Sequence, residues 1–467
     1  MAKLNKLTLP NPSGSNASSI DPFDGRYYDA EISTYLSEQS RIAYQAHVEA
    51  ALALTLAEFG ICDQNIATEI ESASHKVTAE AVAEEELTTR HDVKALVNTI
   101  KSHISDEAKP FVHFGATSYD IVSTAQSLQI REAMDSVVLP RINTLIDTLS
   151  ELSNKYADTV QIGRTHGQHG VPITFGFAIA EYVSRLHDSQ KALNQLSTAL
   201  KGKFSGAVGA YNALDIFIDD PLKFEESILA KVGLKPAPYS NQIVPPEGFI
   251  RLIDELAITG GIMANLGHDM RHLQRSEIGE IREKFEKGQA GSSTMAHKRN
   301  PWNFENVVSM NKQLLAQVMN ANMNIASEHQ RDLTDSASAR FYPVALAAVA
   351  SMSKRLNTIM TKIEVDEQAM QRNLKLSRGA IAAEPLYLLF EKHGHIDAHE
   401  KSKQLSQSAL EQGIPLADVV QADNEALQYW SKFTDREKQI IQNPEKHYTG
   451  LAAKKARSIA QAHLKTD

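Results

Sequence analysis

The chain has 467 residues, 42% hydrophobic and 22% charged, which is ordinary globular composition and enough length for two or three domains. A net charge of −9 argues against non-specific nucleic-acid binding as the main task, but it leaves room for a local basic pocket that takes an anionic small molecule. No uncharged apolar run reaches about 18 residues, so no membrane-spanning helix is expected. Cys62, the single cysteine, allows no intrachain disulfide and fits a reducing, cytoplasmic setting.

Residues 1–19 are polar and rich in Ser, Asn and Pro, and read as a loose leader without a secretory apolar core. Asp24-Gly25-Arg26-Tyr27 is a turn bearing a cation and an aromatic, and Thr88-Thr89-Arg90-His91-Asp92 precedes a helix from Val93 to Ile104. In His113-Phe114-Gly115-Ala116-Thr117-Ser118-Tyr119-Asp120, Thr117 with Asp120 matches a capping box. A helix start lined with hydroxyls is also an anion site, and both readings stand. Ile121, Ala125, Leu128, Met134, Val138, Ile142, Leu145, Leu149 and Leu152 then recur in helical steps, with Pro140 predicting a kink. Arg164-Thr165-His166-Gly167-Gln168-His169-Gly170 follows. Its glycines allow close approach of a ligand and its histidines suit acid–base work, though a polar interhelical turn would explain it too.

A second helical run goes Phe175, Ile179, Tyr182, Leu186, Leu193, Leu196, Leu200; others cover Ile250–Leu266, Val307–Val318 and Val344–Met360. Strand candidates are few, Asp215–Ile218 and Ser240–Val244. Between the third and fourth helical runs lies Gly288-Gln289-Ala290-Gly291-Ser292-Ser293-Thr294-Met295-Ala296-His297-Lys298-Arg299-Asn300-Pro301, a glycine- and serine-rich loop closing on a cap and a proline. Free amides at that helix start, with Lys298 beside them, could hold a carboxylate; a plain surface loop is the competing reading. Gln330-Arg331-Asp332-Leu333-Thr334-Asp335-Ser336, with Arg340, is polar between two apolar helices. Helix breakers recur near Gly394 and Gly413. The expectation is an all-α protein with domains at 1–116, 117–370 and 371–467, the middle one a long-helix bundle. Apolar residues on more than one helix face suggest burial against other subunits, although a thick monomeric bundle would show the same thing.

Arg26, Arg90, Lys298, Arg331 and Arg340 all fall in these punctuated segments, and their convergence would make a pocket for a polyanionic substrate. There is no metal-ligand spacing, P-loop or dinucleotide fingerprint, so no cofactor or metal is indicated.

Residues 291–301 resemble the fumarase/aspartase superfamily signature Gly-Ser-Ser-x-Met-Pro-x-Lys-x-Asn-Pro, and chance agreement at so many fixed positions is negligible. Within it, Asp24 to Tyr27, Thr88 to Ala95, Thr117-Ser118, Arg164 to Gln168, and Gln330 to Ser336 with Arg340 look like the adenylosuccinate lyase family. The matching segments run in the family's order from residue 21 to about 340. Ala296 stands where the signature usually has proline, and His169-Gly170 where relatives often have Pro-Ala. Loss of the proline raises the entropy of the open loop, typically by ~1 kcal/mol or less.

The resemblance implies three mostly helical domains, a homotetramer with active sites shared between subunits, and cleavage of adenylosuccinate to AMP and fumarate and of SAICAR to AICAR and fumarate. It implies Ser292 as the base and His166 as the acid, with Lys298 stabilising charge, Glu305 orienting His166, and His91 near the phosphate or helping proton transfer. Thr117, Ser118 and Gln242 would hold the succinyl carboxylates, and Arg26, Tyr27, Arg331, Ser336 and Arg340 the nucleotide. Arg90, Asp92 and Asn300, in the matching segments, complete the binding set. The alternatives are another lyase of the superfamily (argininosuccinate lyase, fumarase or aspartase), an inactive structural relative, or a coiled-coil scaffold. The last leaves the glycine-serine loop unexplained.

Overall fold

The apolar runs form long helices. In the computed structural model, which describes residues 20–285, 294, 295 and 297–464, helix accounts for 66% and strands are confined to three two-stranded pieces. The elements used below are α1 (Glu38–Glu58), α2 (Asp92–Lys101), α3 (Ser118–Ala133), α4 (Leu139–Lys155), β1 (Val160–Thr165), β2 (Gln168–Thr174), α5 (Phe175–Thr198), α6 (Glu247–Leu273), α7 (Trp302–Met323) and α8 (Tyr342–Met360). The expected kink at Pro140 takes the form of a π-helical segment, Met134–Val138, joining α3 to α4, in which the Leu139 N–H reaches back to the Met134 carbonyl. Proline has no N–H to offer, and one wider turn accommodates that loss without ending the helix. Met134, Val137 and Val138 stay buried through it, so the apolar face survives.

Neither expected strand forms. Leu214–Ile216 is a 3₁₀ turn, and residues 240–244 adopt no regular element. The latter run into Pro245 and Pro246, which have no N–H for a ladder. The strands lie instead at β1–β2, where an interhelical turn was expected.

The structure divides into two units. Unit 1 comprises Met1–Arg141, Gln190–Gly260 and Met310–Met352. Its core gathers Ile42, Leu52 and Leu56 of α1, Leu96 and Ile100 of α2, Ile121 and Leu128 of α3, and Phe204, Phe224 and Leu229. Unit 2 comprises Ile142–Ser189, Gly261–Ser309 and Ser353–Asp467. Its C-terminal part has its own core around Phe390, Leu416, Val420, Trp430 and Phe433. Helices there end near the expected breakers: Ala383–Lys392 stops before Gly394, and Ala398–Gln412 is closed by Gly413 at φ 72°.

The most consequential polar group of unit 1 is Asp120, which is 1% exposed. Its Oδ2 accepts from the Thr117 N–H (2.8 Å), the reciprocal half of the capping box at the start of α3. Its Oδ1 accepts from the Ser205 and Gly206 amides (3.1 and 3.2 Å) and from the Lys203 ammonium, which is fully buried. Removing one partner of a buried pair leaves an uncompensated charge, at a typical cost of ~3–5 kcal/mol. Lys203→Met, which keeps the stem and drops the charge, is expected to lower stability by about 3 kcal/mol in urea denaturation. A loss under about 1 kcal/mol would show that the three amides satisfy Asp120 without the lysine.

Candidate active site

One cavity of about 1080 Å³ lies wholly within unit 1. Its walls include Tyr27, Arg90, His91, Asp92, Thr117, Ser118, Gln242, Ser336 and Arg340, brought from five separate stretches of sequence. Each is placed by a local device. Arg90 closes the helix Ala79–Thr89 in the left-handed conformation (φ 55°), and His91 then caps α2. The His91 Nδ1 accepts from the Lys94 N–H at 3.4 Å, so the neutral ring carries its proton on Nε2, available as a donor. Thr117 and Ser118 are held at the start of α3 by Asp120. The same carboxylate fixes residues 203–206, where Ser205 shares a 2.6 Å hydrogen bond with Ser240, two residues before Gln242. The Gln242 N–H donates to the Gln330 carbonyl at 3.3 Å.

The cavity is charged in both signs. Arg340 pairs with Asp92 at 2.8 Å, and Arg41 donates to Glu38 at 2.8 Å through Nε. The hydrogen bond from Arg41 holds the Glu38 carboxyl below its usual range. Arg41 and Glu38 also line the cavity and were not singled out from the sequence; Tyr119 and Asp335, within singled-out segments but given no role there, line it too. Arg41 and Glu38 sit in the first turn of α1, where an i,i+3 pair reads as an ordinary solvated contact. The Arg331 side chain, expected at the nucleotide, is only 3% exposed, with Nη2 2.6 Å from Asp335; it lies outside the cavity lining, as does Arg26, which is exposed.

Unit 2 carries His166. Strands β1 and β2 pair antiparallel through Thr165 and Gln168, leaving His166 (φ 54°) and Gly167 (φ 74°) as a two-residue turn. Two successive left-handed residues are the turn that suits a twisted hairpin, and glycine takes the second without strain. His166 therefore sits exposed at a hairpin tip. The register slips between Ile162 and Arg164, at Gly163, where a side chain would meet the Val171 carbonyl at 2.8 Å. The hairpin is tied down by the buried Glu280, which accepts from Arg164 Nη2 (2.6 Å), Gln161 Nε2 (2.7 Å) and Asn373 Nδ2 (2.7 Å). Burial, then the Arg164 charge, pushes the neighbouring His169 below its ordinary pKa.

At the start of α7 the expectation needs correction. The helix-end amides were expected to be free for a substrate carboxylate, but Glu283 already occupies them. Its Oε1 accepts from the Asn303 and Phe304 N–H groups (3.1 and 3.2 Å), and its Oε2 from Asn303 Nδ2 (2.7 Å). Lys298 is exposed, and Glu305 faces Arg271 at 3.8 Å. Asn300, Lys298, Glu305 and His166 all belong to unit 2, whereas Ser292 and Ala296 lie outside the described residues.

The family model described as Lyase matches residues 26–319, and the model described as Adenylosuccinate lyase C-terminal matches residues 327–440. An adenylosuccinate lyase of Pyrococcus abyssi (strain GE5 / Orsay) is 37% identical over 416 residues, 88% of this chain and 91% of that one. The chain belongs to the adenylosuccinate lyase family. The fold alone would not decide this. The crystal structure of a fumarate lyase from Mesorhizobium sp. BNC1 superposes with a TM-score of 0.83 at 22% identity, covering 93% of this chain and 98% of that one. A 3-carboxy-cis,cis-muconate lactonizing enzyme from Pseudomonas putida also reaches 0.83, at 26% identity over 95% and 99%. One scaffold thus hosts different reactions, and the site residues must distinguish them.

Beside the cavity, His113 holds a left-handed conformation (φ 64°) four residues before Thr117, its Nδ1 2.6 Å from the buried Glu49. Burial opposes its charge, but Glu49, and more weakly Asp120, outweigh burial and the Lys101 charge, so its pKa is raised. A raised histidine pKa gives stability that is fully present below the unfolded value of about 6.5 and fades as pH climbs through the folded value. The melting-temperature advantage of the wild type over His113→Gln should therefore shrink between pH 6 and pH 9. An advantage that is flat or grows with pH would show that the imidazolium contributes nothing here.

Proposed function

We propose that this chain is an adenylosuccinate-cleaving lyase of the cytoplasm. It eliminates fumarate from adenylosuccinate to leave AMP, and from SAICAR to leave AICAR, in purine nucleotide biosynthesis. The observation that carries the reading is the convergence in one cavity of Arg90, His91, Thr117, Ser118, Gln242, Ser336 and Arg340. Arginines with a histidine suit a phosphate, and hydroxyls with an amide suit carboxylates. A simple dicarboxylate lyase needs only the second group.

In the proposed mechanism Ser292, as its alkoxide, takes the proton from the carbon next to the C–N bond. The electron pair left behind spreads into the neighbouring carboxylate, then forms the C=C bond of fumarate as the C–N bond breaks, and His166 gives the departing nitrogen its proton. Lys298 holds the developing carboxylate charge, where a fixed cation in a dry site is worth far more than in water. Glu305 orients His166. Tyr27, Ser336 and Arg340 hold the nucleotide, with Arg90 and Asp92 beside them and Asn300 near the carboxylates. We read the working form as a homotetramer with shared active sites. Supporting this, α7 exposes Leu315, Met319 and Met323 (50, 72 and 77%) at steps of four, an apolar stripe suited to burial against another subunit.

The first measurement is an ultraviolet assay with adenylosuccinate, with fumarate quantified separately. AMP and fumarate in equal amounts are expected; turnover of argininosuccinate, malate or aspartate in its place would reassign the chain within the superfamily. Ser292→Ala and His166→Ala should each fold normally and lose at least ~10²-fold in turnover. Near-normal turnover in either removes that residue from its role.

A further inference from the structure

A hydrogen-bonded clasp built on Gln274 joins the chain before the signature segment to that segment's C-terminal end. Gln274, one residue beyond the end of α6, accepts from the Glu283 N–H through Oε1 (3.0 Å) and donates from Nε2 to the Arg299 carbonyl (3.2 Å). One side-chain amide thus bridges Glu283, before the signature segment, and Arg299, near that segment's C-terminal end. The Glu283 carboxylate then accepts from the Asn303 and Phe304 amides, fixing where α7 begins. From the far side, Arg355 donates to Asn303 Oδ1 at 2.7 Å and lies over the Trp302 ring, 5.5 Å from its centroid. Arg299 in turn lies over Phe285, again at 5.5 Å. A fully buried carboxylate is costly unless several donors meet it, and this one is met by three, all supplied by Asn303 and Phe304.

We propose that Gln274 and Glu283 are positioning residues that hold Arg299 at a fixed place relative to the chain before the signature segment and so set where Lys298 stands during the elimination. Lys298 precedes by one residue the carbonyl that Gln274 grips, and its own N–H turns back to the Met295 carbonyl at 3.0 Å. A shift at Arg299 is therefore passed to it directly. The charge that Lys298 meets develops in the transition state, so the effect belongs in kcat and not in substrate binding. The inference rests on the reading above, in which this segment carries the chemistry.

The experiment uses the full-length protein with adenylosuccinate and compares three variants. Gln274→Met keeps the shape and removes both hydrogen bonds. Its kcat should fall about tenfold with KM within about twofold, and the melting temperature should fall by no more than a few degrees, since two such bonds are a small part of the stability of a chain this size. Glu283→Ala should lose more, whereas Glu283→Gln, which retains an oxygen for the helix amides, should recover most of the loss. Wild-type turnover with an undiminished kcat in Gln274→Met overturns the inference alone, as does a Glu283→Gln variant no better than Glu283→Ala. An inactive wild type removes the functional reading and this inference with it. Should Gln274→Met fail to fold, the Glu283 pair decides.

Discussion

The cavity of unit 1 depends on one buried carboxylate. Asp120 is enclosed with Lys203, and four donors from two distant stretches of chain converge on it. A carboxylate in such a place is tolerable only when its acceptor sites are met, so the geometry around it is narrowly constrained. That constraint does two things for the cavity. It sets the first turn of α3, and with it Thr117 and Ser118. It also fixes residues 203–206, from which the Ser205–Ser240 hydrogen bond carries the constraint to the segment bearing Gln242. Two walls of the cavity are thereby referred to a single charge, although they lie more than a hundred residues apart in sequence.

Unit 2 uses the same device twice. Glu280 is the buried anchor of the hairpin, satisfied by Arg164, Gln161 and Asn373, and it leaves the tip with His166 projecting from a rigid base. Glu283, three residues on, is the buried anchor of α7. Both carboxylates flank the short strand Ile281–Arg282, which pairs with Glu364–Val365. Exposed functional groups are thus attached to buried points, which is how a site can be open to substrate yet geometrically definite.

Much of this was legible in the sequence. Helical periodicity located the helices of five apolar runs from residue 121 onward, because steps of three and four over twenty residues leave few alternatives, but it did not locate α1, 21 residues long. The Thr117–Asp120 capping box was readable because it is local. Its second role was not, since nothing in the sequence ties Asp120 to Lys203 across 83 residues. The β1–β2 hairpin was missed for a different reason. Its turn is His-Gly and not the commoner Asn-Gly, and Pro172 within β2 argued against a strand, although an isolated hairpin has outer edges where a missing N–H costs nothing. Residues 164–170 therefore looked like an interhelical turn. Motif resemblance found the cavity's residues, but Arg41 and Glu38 belong to no motif and only the fold brings them there.

The occupied start of α7 also narrows the chemistry. A serine hydroxyl is a weak acid, and its use as a base requires that negative charge be held nearby. A helix N-terminus beside the signature segment looks made for that, with aligned dipoles and free amides. Glu283 changes the account: its charge already neutralises that end, and its oxygens take the amides of Asn303 and Phe304. A second anion placed there would meet a carboxylate. The stabilisation required by the proposed mechanism must then come from Lys298 itself, a mobile point charge, and from donors other than those two amides. A point charge on a flexible stem is effective only if its backbone is held in place. That requirement gives Gln274 and Glu283 a reason to brace the backbone next to Lys298.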